Sequence, residues 1–238
     1  MAIEVFNRYE QKYMLDADTF KKVLSVMDEH MVLDKYNLNH RPYTISNIYF
    51  DTDDDLLIRT SLSKPKYKEK LRLRSYGVPN GDSKVFMEIK KKFNGIVNKR
   101  RTVLTLSEAY DFMSSGIPPT PQEYMNTQVL KEITYFLKCY SLKPKLYLAY
   151  DRIAYFEKGN NDLRISFDQN IRTRRYDVAL EDGDYGEKLL PDGLYLMEIK
   201  ASRSMPLWLT EMLAKYNIKR RSFSKYGTEY MHQLQVAI

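Results

Sequence analysis

Apolar and polar residues alternate along eight short stretches of this chain, and elsewhere apolar residues recur every three to four positions. The alternating stretches, 5–15, 43–50, 67–76, 84–93, 96–104, 145–156, 163–167 and 195–200, predict strands. A stripe of Phe20, Val23, Leu24, Met27 and Met31 behind Asp16 or Asp18 predicts a capped helix. Leu56, Leu57 and Ile58 suggest a short helix, and further helices are expected at 107–115, 122–140, 207–215 and 226–236. Val78 to Asp82, Asn94-Gly95 and Gly159 to Asp162 read as turns. Hairpin-linked strands of this number predict an α+β fold: an antiparallel, eight-stranded, tunnel-like β-barrel with flanking helices, one domain over 1–238. The acidic run from Asp51 to Asp55 reads as a solvated turn, because it lacks the glycine and terminal glutamate of a calcium loop.

The polar positions of these strands carry more information than the apolar ones. Glu10 and Lys12, Glu88 and Lys90, and Glu198 and Lys200 lie two apart, and Lys70, Arg72 and Arg74 repeat that spacing with positive charge alone. Residues two apart share a strand face. Charge therefore points one way, and Leu71, Leu73, Met87, Ile89, Met197 and Ile199 point the other. One such strand is most simply solvent-facing, since unpaired buried charge is costly. Recurrence in four strands, with Arg152 and Arg164 inside otherwise apolar ones, points to a shared basic cavity dotted with carboxylates. That chemistry suits a polyphosphate chain and its metal ions.

Composition narrows the partners. The chain has 238 residues, 43% hydrophobic and 13% aromatic, which is globular, and a net charge of +7, which favours anionic partners. Nucleic-acid binding would want exposed aromatics among Lys and Arg; the 20 tyrosines fall mostly in strand patterns that read as core, so no nucleic-acid partner is expected. The lone Cys139 forbids an internal disulfide and reads as a core thiol. There is no signal pattern and no apolar run near the ~20 residues of a membrane span, so a cytoplasmic location is expected, with any membrane contact made through a partner. His30, His40 and His232 fall outside every motif.

An ordered set of motifs supports a family resemblance. These are Arg-Tyr-Glu-x-Lys-Tyr from Arg8, Ile-Tyr-Phe-Asp-Thr from Ile48, Leu-Arg-Leu-Arg-x-Tyr-Gly from Leu71 and Met-Glu-Ile-Lys-Lys-Lys from Met87. Then follow Tyr-Asp-Arg-Ile-Ala-Tyr from Tyr150, Leu-Arg-Ile-Ser-Phe-Asp from Leu163, Met-Glu-Ile-Lys from Met197 and Phe-Ser-Lys-Tyr from Phe223. From about Phe6 to Gly227 the chain resembles the catalytic domain of the vacuolar transporter chaperone (VTC) family, within the triphosphate tunnel metalloenzymes. The resemblance implies synthesis of inorganic polyphosphate from ATP. It implies phosphate binding by Lys12, Arg72, Arg74, Lys90, Arg152, Arg164, Ser224 and Lys225. It assigns a divalent metal, Mn²⁺ or Mg²⁺, to Glu198, with Glu88 as a further candidate, and gives Glu10 and Lys200 supporting places. Arg8 stands where the triphosphatase and cyclase branch carries glutamate, which favours the polymerase branch. Two positions before Ser224, where polymerase relatives often carry lysine, this chain has Ser222, close to Lys219, Arg220 and Arg221. A non-catalytic polyphosphate-binding subunit and a metal-dependent triphosphatase are the alternatives.

Overall fold

The computed structural model describes residues 9–236 apart from 95, 160, 161 and 203. The expected strand residues 5–8, Arg8 among them, and the turn residues Gly95, Asn160 and Asn161 lie outside the described residues. In chain order the elements are β1 (Tyr9–Leu15), α1 (Ala17–His30), β2 (Met31–Leu33), β3 (Tyr43–Asp51), α2 (Leu56–Leu62), β4 (Tyr67–Tyr76), β5 (Lys84–Phe93) and β6 (Ile96–Thr105). They continue with α3 (Leu106–Ser115), α4 (Thr127–Cys139), β7 (Lys143–Glu157), β8 (Leu163–Arg174), β9 (Glu187–Lys188), β10 (Tyr195–Ala201), α5 (Leu207–Lys215) and α6 (Lys225–Val236).

Eight strands form one antiparallel path in the order β1-β10-β8-β7-β3-β4-β5-β6, with β2 added to β7 and β9 to β8. The expected eight-stranded tunnel is present, but it is not a closed barrel. Among the described residues β1 and β6 end the path and do not pair with each other.

Helices cover the outer face. Leu71, Leu73, Met87 and Ile89 pack with α3 and α4 through Ala109, Phe112, Val129, Ile133 and Phe136. Met197, Ile199, Ile165 and Phe167 pack with α1 and α5 through Phe20, Val23, Met27, Leu209 and Met212. Local signals fix the helix starts: Asp16 accepts from Thr19 N at 2.8 Å, Thr105 and Glu108 form a reciprocal capping box, and Asn126 accepts from Val129 N at 3.1 Å. One stretch of the inner face is apolar too. There Ile45, Leu146, Leu148 and Leu196 meet Tyr226 and Tyr230 of α6, filling that part of the cavity with side chains.

Several local expectations need correction. Met31 opens β2 instead of closing the stripe of α1, and residues 122–126 precede α4 instead of belonging to it. Cys139, the last residue of α4, is exposed and not a core thiol. β8 runs past 167 to Arg174. Asp51 is no solvated residue: it is fully buried, and its carboxylate accepts from Leu57 N, Ile58 N and Tyr226 Oη at 2.8–3.0 Å, tying α2 and α6 to β3. No helix among the described residues is long and apolar enough to cross a membrane.

Candidate functional site

The charged residues of the strands meet on the inner face, and strand register decides who neighbours whom. On one wall opposite charges lie directly across from each other: Glu10 faces Lys200, Lys12 faces Glu198, and Arg152 faces Asp168. Glu198 is 5% exposed and sits among four cations, with Lys200 at 3.1 Å, Lys12 at 3.2 Å, Lys225 at 3.4 Å and Arg152 at 3.7 Å. Arg152 donates two hydrogen bonds to the buried Asp168, at 2.6 and 2.8 Å, and Lys225 donates a third at 2.6 Å. Burial opposes the charge on Glu198, but Lys225, Lys200, Lys12 and Arg152 outweigh it and hold the carboxyl well below its usual range. By the same exchange, burial works against Lys225, while Asp168 and Glu198 raise it above an ordinary lysine. Burial likewise opposes Lys12, and Glu198 raises it.

The other wall is different. Lys70 of β4, Lys90 of β5 and Lys99 of β6 stand abreast, each the register partner of the next. Like charges directly opposite one another destabilise a sheet. The next row is Arg72, Glu88 and Arg101, so one carboxylate serves this wall. Glu88 is almost wholly buried and takes Arg72 at 2.6 Å, Lys99 at 2.5 Å and Arg74 at 4.0 Å. Burial pushes Lys70 down to about 8 despite Tyr49 nearby, and Lys90 adds to the fall. Lys99 keeps 39% of its side chain exposed; partial desolvation at the cavity wall, with Arg72 and Arg74 close by, brings it to about 7, although Glu88 pulls the other way. Lys90 is an exposed residue of this wall, yet partial desolvation together with Lys12, Arg72 and Lys200 lowers it, with Glu10 opposing.

Tyr150 joins the walls, and Tyr49 backs one of them. Arg74 donates to Tyr150 Oη at 3.2 Å, and the Lys225 ammonium lies 4.4 Å from the same ring. Arg72 donates to Tyr49 Oη at 3.2 Å. Burial would raise the Tyr49 phenol, yet Arg72 and Lys70 bring it to about 8. Asn47 fixes Arg74 by accepting from its Nε at 2.9 Å.

The structure thus gathers Lys12, Arg72, Arg74, Lys90, Arg152, Lys200, Lys225, Glu10, Glu88 and Glu198 around one cavity. Arg164 shares the face, beside Lys200 in register, but turns toward Asp34 at 3.8 Å and lies 5.0 Å over Phe156. Ser224 is exposed and accepts from Gly227 N at 3.2 Å, the contact of a residue capping α6. Lys99, Tyr49, Tyr150 and Asp168 are absent from the sequence-based site, and Lys70 enters it only through the charged strand pattern, without an assigned role. Asp168 closes the Leu163 motif and shares a strand face with Arg164, a signal that could have found it. The hairpin expected at Asn94-Gly95 already pairs 96–104 back onto 84–93, and its register, which sets Lys99 beside Lys90, is the signal that could have found Lys99.

The donor chemistry fits a divalent ion that arrives with phosphate. Glu10 and Glu198 are brought close enough for Lys12 to bridge them, at 3.4 and 3.2 Å. No group of three or more His, Cys, Asp or Glu among the described residues could hold a metal. Most of a shell must therefore come from phosphate oxygens and water, an ordinary arrangement for Mg²⁺ or Mn²⁺. Glu88 has no second carboxylate bridged to it by a shared cation, as Glu198 has in Glu10, and so fits less well as a ligand.

Residues 7–233 match the model of the VTC domain family. A similar curated protein is vacuolar transporter chaperone complex subunit 4 of Trypanosoma brucei brucei, 24% identical over an alignment taking in 94% of this chain and 34% of the relative. Its Trypanosoma cruzi counterpart is 22% identical with the same coverage. The chain spans about a third of the length of these relatives. A Bacillus halodurans protein described as a candidate adenylate cyclase superposes with a TM-score of 0.58 at 15% identity, covering 93% of this chain and 96% of that one. A Hippeastrum protein described as having a dominant triphosphatase activity gives 0.50 at 12% identity, covering 91% and 92%. At these identities the structural likeness concerns the tunnel fold alone. With its motifs on one inner face of that fold and the family model spanning nearly its whole length, the chain belongs to the VTC domain family.

Proposed function

We propose that this protein synthesises inorganic polyphosphate by transferring the γ-phosphate of ATP to a phosphate chain held in the cavity. The observation that carries the reading is the row of Lys70, Lys90 and Lys99, three cations abreast, whose one described carboxylate partner, Glu88 against Lys99, is shared with Arg72 and Arg74. Such a row is unfavourable until a linear polyanion lies along it. Arg72 and Arg74 would grip non-bridging oxygens from that wall, while Arg152, Lys12 and Lys225 meet them from the other.

A terminal phosphate oxygen of the acceptor is already ionised, so no general base is needed. It attacks the γ-phosphorus, the bond to the β-phosphate oxygen breaks, and ADP leaves. The protein contributes alignment and stabilisation of charge. Mn²⁺ or Mg²⁺ held by Glu198, with Glu10 beside it, would supply neutralisation of phosphate charge. Lys200 and Ser224 serve the site by holding Glu198 and by starting α6. Any membrane-protein partner would take the polymer onward.

Incubation with ATP and Mn²⁺, followed by gel separation, tests this. Long phosphate chains with ADP are expected. ADP and free phosphate without chains would mean a triphosphatase, and unchanged ATP with tight polyphosphate binding would mean a binding subunit.

A further inference from the structure

Four aromatic rings line the inner face beside the phosphate-gripping cations and are not absorbed by the reaction. Tyr36, Tyr43, Tyr76 and Phe86 form a continuous strip, with successive ring centroids 6.4, 5.9 and 5.6 Å apart. Its members come from a loop, β3, β4 and β5. Register places the strip directly against the cavity: Tyr43 is opposite Arg152, and Phe86 is opposite Arg74. The Arg101 guanidinium lies 4.9 Å over Phe86, and Lys35 lies 5.1 Å from the Tyr36 ring.

Two members are open to solvent, Tyr36 at 69% and Tyr76 at 52% exposure. The loop bearing Tyr36 is nevertheless fixed. Asn37 is fully buried; its Nδ2 donates to the carbonyls of Arg152 at 2.8 Å and Arg41 at 2.9 Å, and its Oδ1 accepts from Ala154 N at 2.9 Å. Asp34 N adds a bond to the Ala154 carbonyl at 2.8 Å. An exposed ring on a loop pinned to the same strand as Arg152 is a prepared surface.

A phosphate chain has no apolar face and gains nothing from such a strip. A nucleoside triphosphate has both parts: a flat π-face at one end and a polyanion at the other. We infer that the strip of Tyr36, Tyr43, Tyr76 and Phe86 is the docking surface for the purine base of the nucleotide, fixing which end of it points into the cation cluster. The inference rests on the reading of the cavity as a nucleotide-consuming site. Stacking is tolerant of base identity because every base has a π-face. ATP and GTP should therefore bind alike.

The test titrates the full chain with the non-hydrolysable β,γ-imido analogue of ATP and, separately, with inorganic tripolyphosphate. The Tyr36→Ala, Tyr76→Ala double variant should weaken the analogue by about ten-fold or more, the scale of one base–aromatic stack. Tripolyphosphate should change less than about two-fold, and Tyr76→Phe should bind as the wild type does. Equal weakening of both ligands, or an analogue unaffected by the double variant, would overturn the inference. A wild type that gains no affinity from the adenosine overturns it too and leaves the polyanion cavity standing. A wild type that binds both ligands and shows the base effect but makes no polyphosphate removes the polymerase reading and keeps the base site. Binding of neither ligand would sink both.

Discussion

The two walls of the cavity use the same residue types and reach opposite electrostatic states. On the wall of β1, β10, β8 and β7, register sets Lys12 against Glu198, Glu10 against Lys200 and Arg152 against Asp168. On the wall of β4, β5 and β6 it sets lysine against lysine against lysine. Desolvation opposes charge on both walls, fully at the buried centre of the first and partly at the more open second, but only the first has enough carboxylate to offset it, so its Lys12 and Lys225 rise while Lys70 and Lys99 fall to about 8 and about 7. The first wall is complete as it stands. The second has one described carboxylate, Glu88, among its cations, and a bound phosphate chain would supply the missing negative charge. Charge count alone conceals this difference: desolvation opposes the charge on every one of these lysines, and the sign of each shift turns on whether enough carboxylate lies nearby to offset it.

The harshest way to probe the contrast is to remove a grip from the unmatched wall. Arg74→Ala should lower kcat/KM for ATP by about a hundred- to a thousand-fold, as loss of one preorganised charge donor does. The melting temperature should move by only a few degrees, since the variant removes a cation from a surplus. Arg74→Lys should recover part of the rate, because the two-point grip is lost while the charge stays. Wild-type turnover in Arg74→Ala would show that this wall is not where phosphate is held.

Glu198→Gln attacks the matched wall and should behave differently. Four cations lose their shared counter-charge, and breaking a buried pair costs roughly 3 kcal/mol. A lowered melting temperature is expected, together with stronger metal-free polyphosphate binding, because the cations are freed for it. If Glu198 also serves the metal, the Mn²⁺ concentration for half-maximal activity should rise. Unchanged metal dependence with lowered stability would confine Glu198 to ion pairing.

How much of this was legible in the chain follows from what alternation can and cannot report. Period-two spacing reveals which residues share a face, so Lys12, Arg72, Arg74, Lys90, Arg152, Glu198 and Lys200 could be gathered without coordinates. It does not reveal which strand lies beside which. The row of Lys70, Lys90 and Lys99 and the matching of Lys12 with Glu198 exist only through register. Openness of the sheet was illegible for the same reason, since closure depends on whether β1 and β6 meet. β8 was cut short because its register against β7 shifts where Asn170 takes a positive φ of 48°. The alternation breaks there, although Ile171, Arg172 and Arg174 continue the strand as buried residues. Asp51 read as solvated because its partners are backbone groups of α2 and the distant Tyr226.

A subtler test uses protons. Lys70 at about 8 and Lys99 at about 7 lie below an unfolded lysine near about 10.4. Between roughly pH 7 and 10 the unfolded chain therefore binds more protons than the folded one, and the stability of the ligand-free protein should rise with pH across that window. Tyr49, lowered to about 8, pushes in the same direction. A bound phosphate chain favours the charged lysines, so binding near pH 8 should take up protons and weaken as pH climbs. Calorimetry of tripolyphosphate binding at pH 8, in two buffers of different ionisation enthalpy, measures the uptake. It should shrink in Lys99→Met. Zero uptake in the wild type would mean that the lysine row is already charged, and the contrast between the walls would be lost.

The smallest expected effect belongs to Ser224, where a phosphate-binding role and a structural one compete. Its hydroxyl accepts from Gly227 N, its carbonyl accepts from Thr228 N at 2.7 Å, and the next residue is Lys225, the cation shared by Asp168 and Glu198. A cap of this kind contributes about 1 kcal/mol to a helix, here to the helix whose Tyr226 and Tyr230 fill part of the cavity. Ser224→Ala should lower the melting temperature by a few degrees and change tripolyphosphate affinity less than about three-fold. Ser224→Asp separates the roles further. Aspartate caps as well as serine and should keep the stability, but it places a negative charge beside the phosphate path. Strong loss of tripolyphosphate binding in Ser224→Asp at unchanged stability would place the side chain against the phosphates. Near-normal binding would leave Ser224 as the residue that starts α6 and so sets Lys225 into the matched wall.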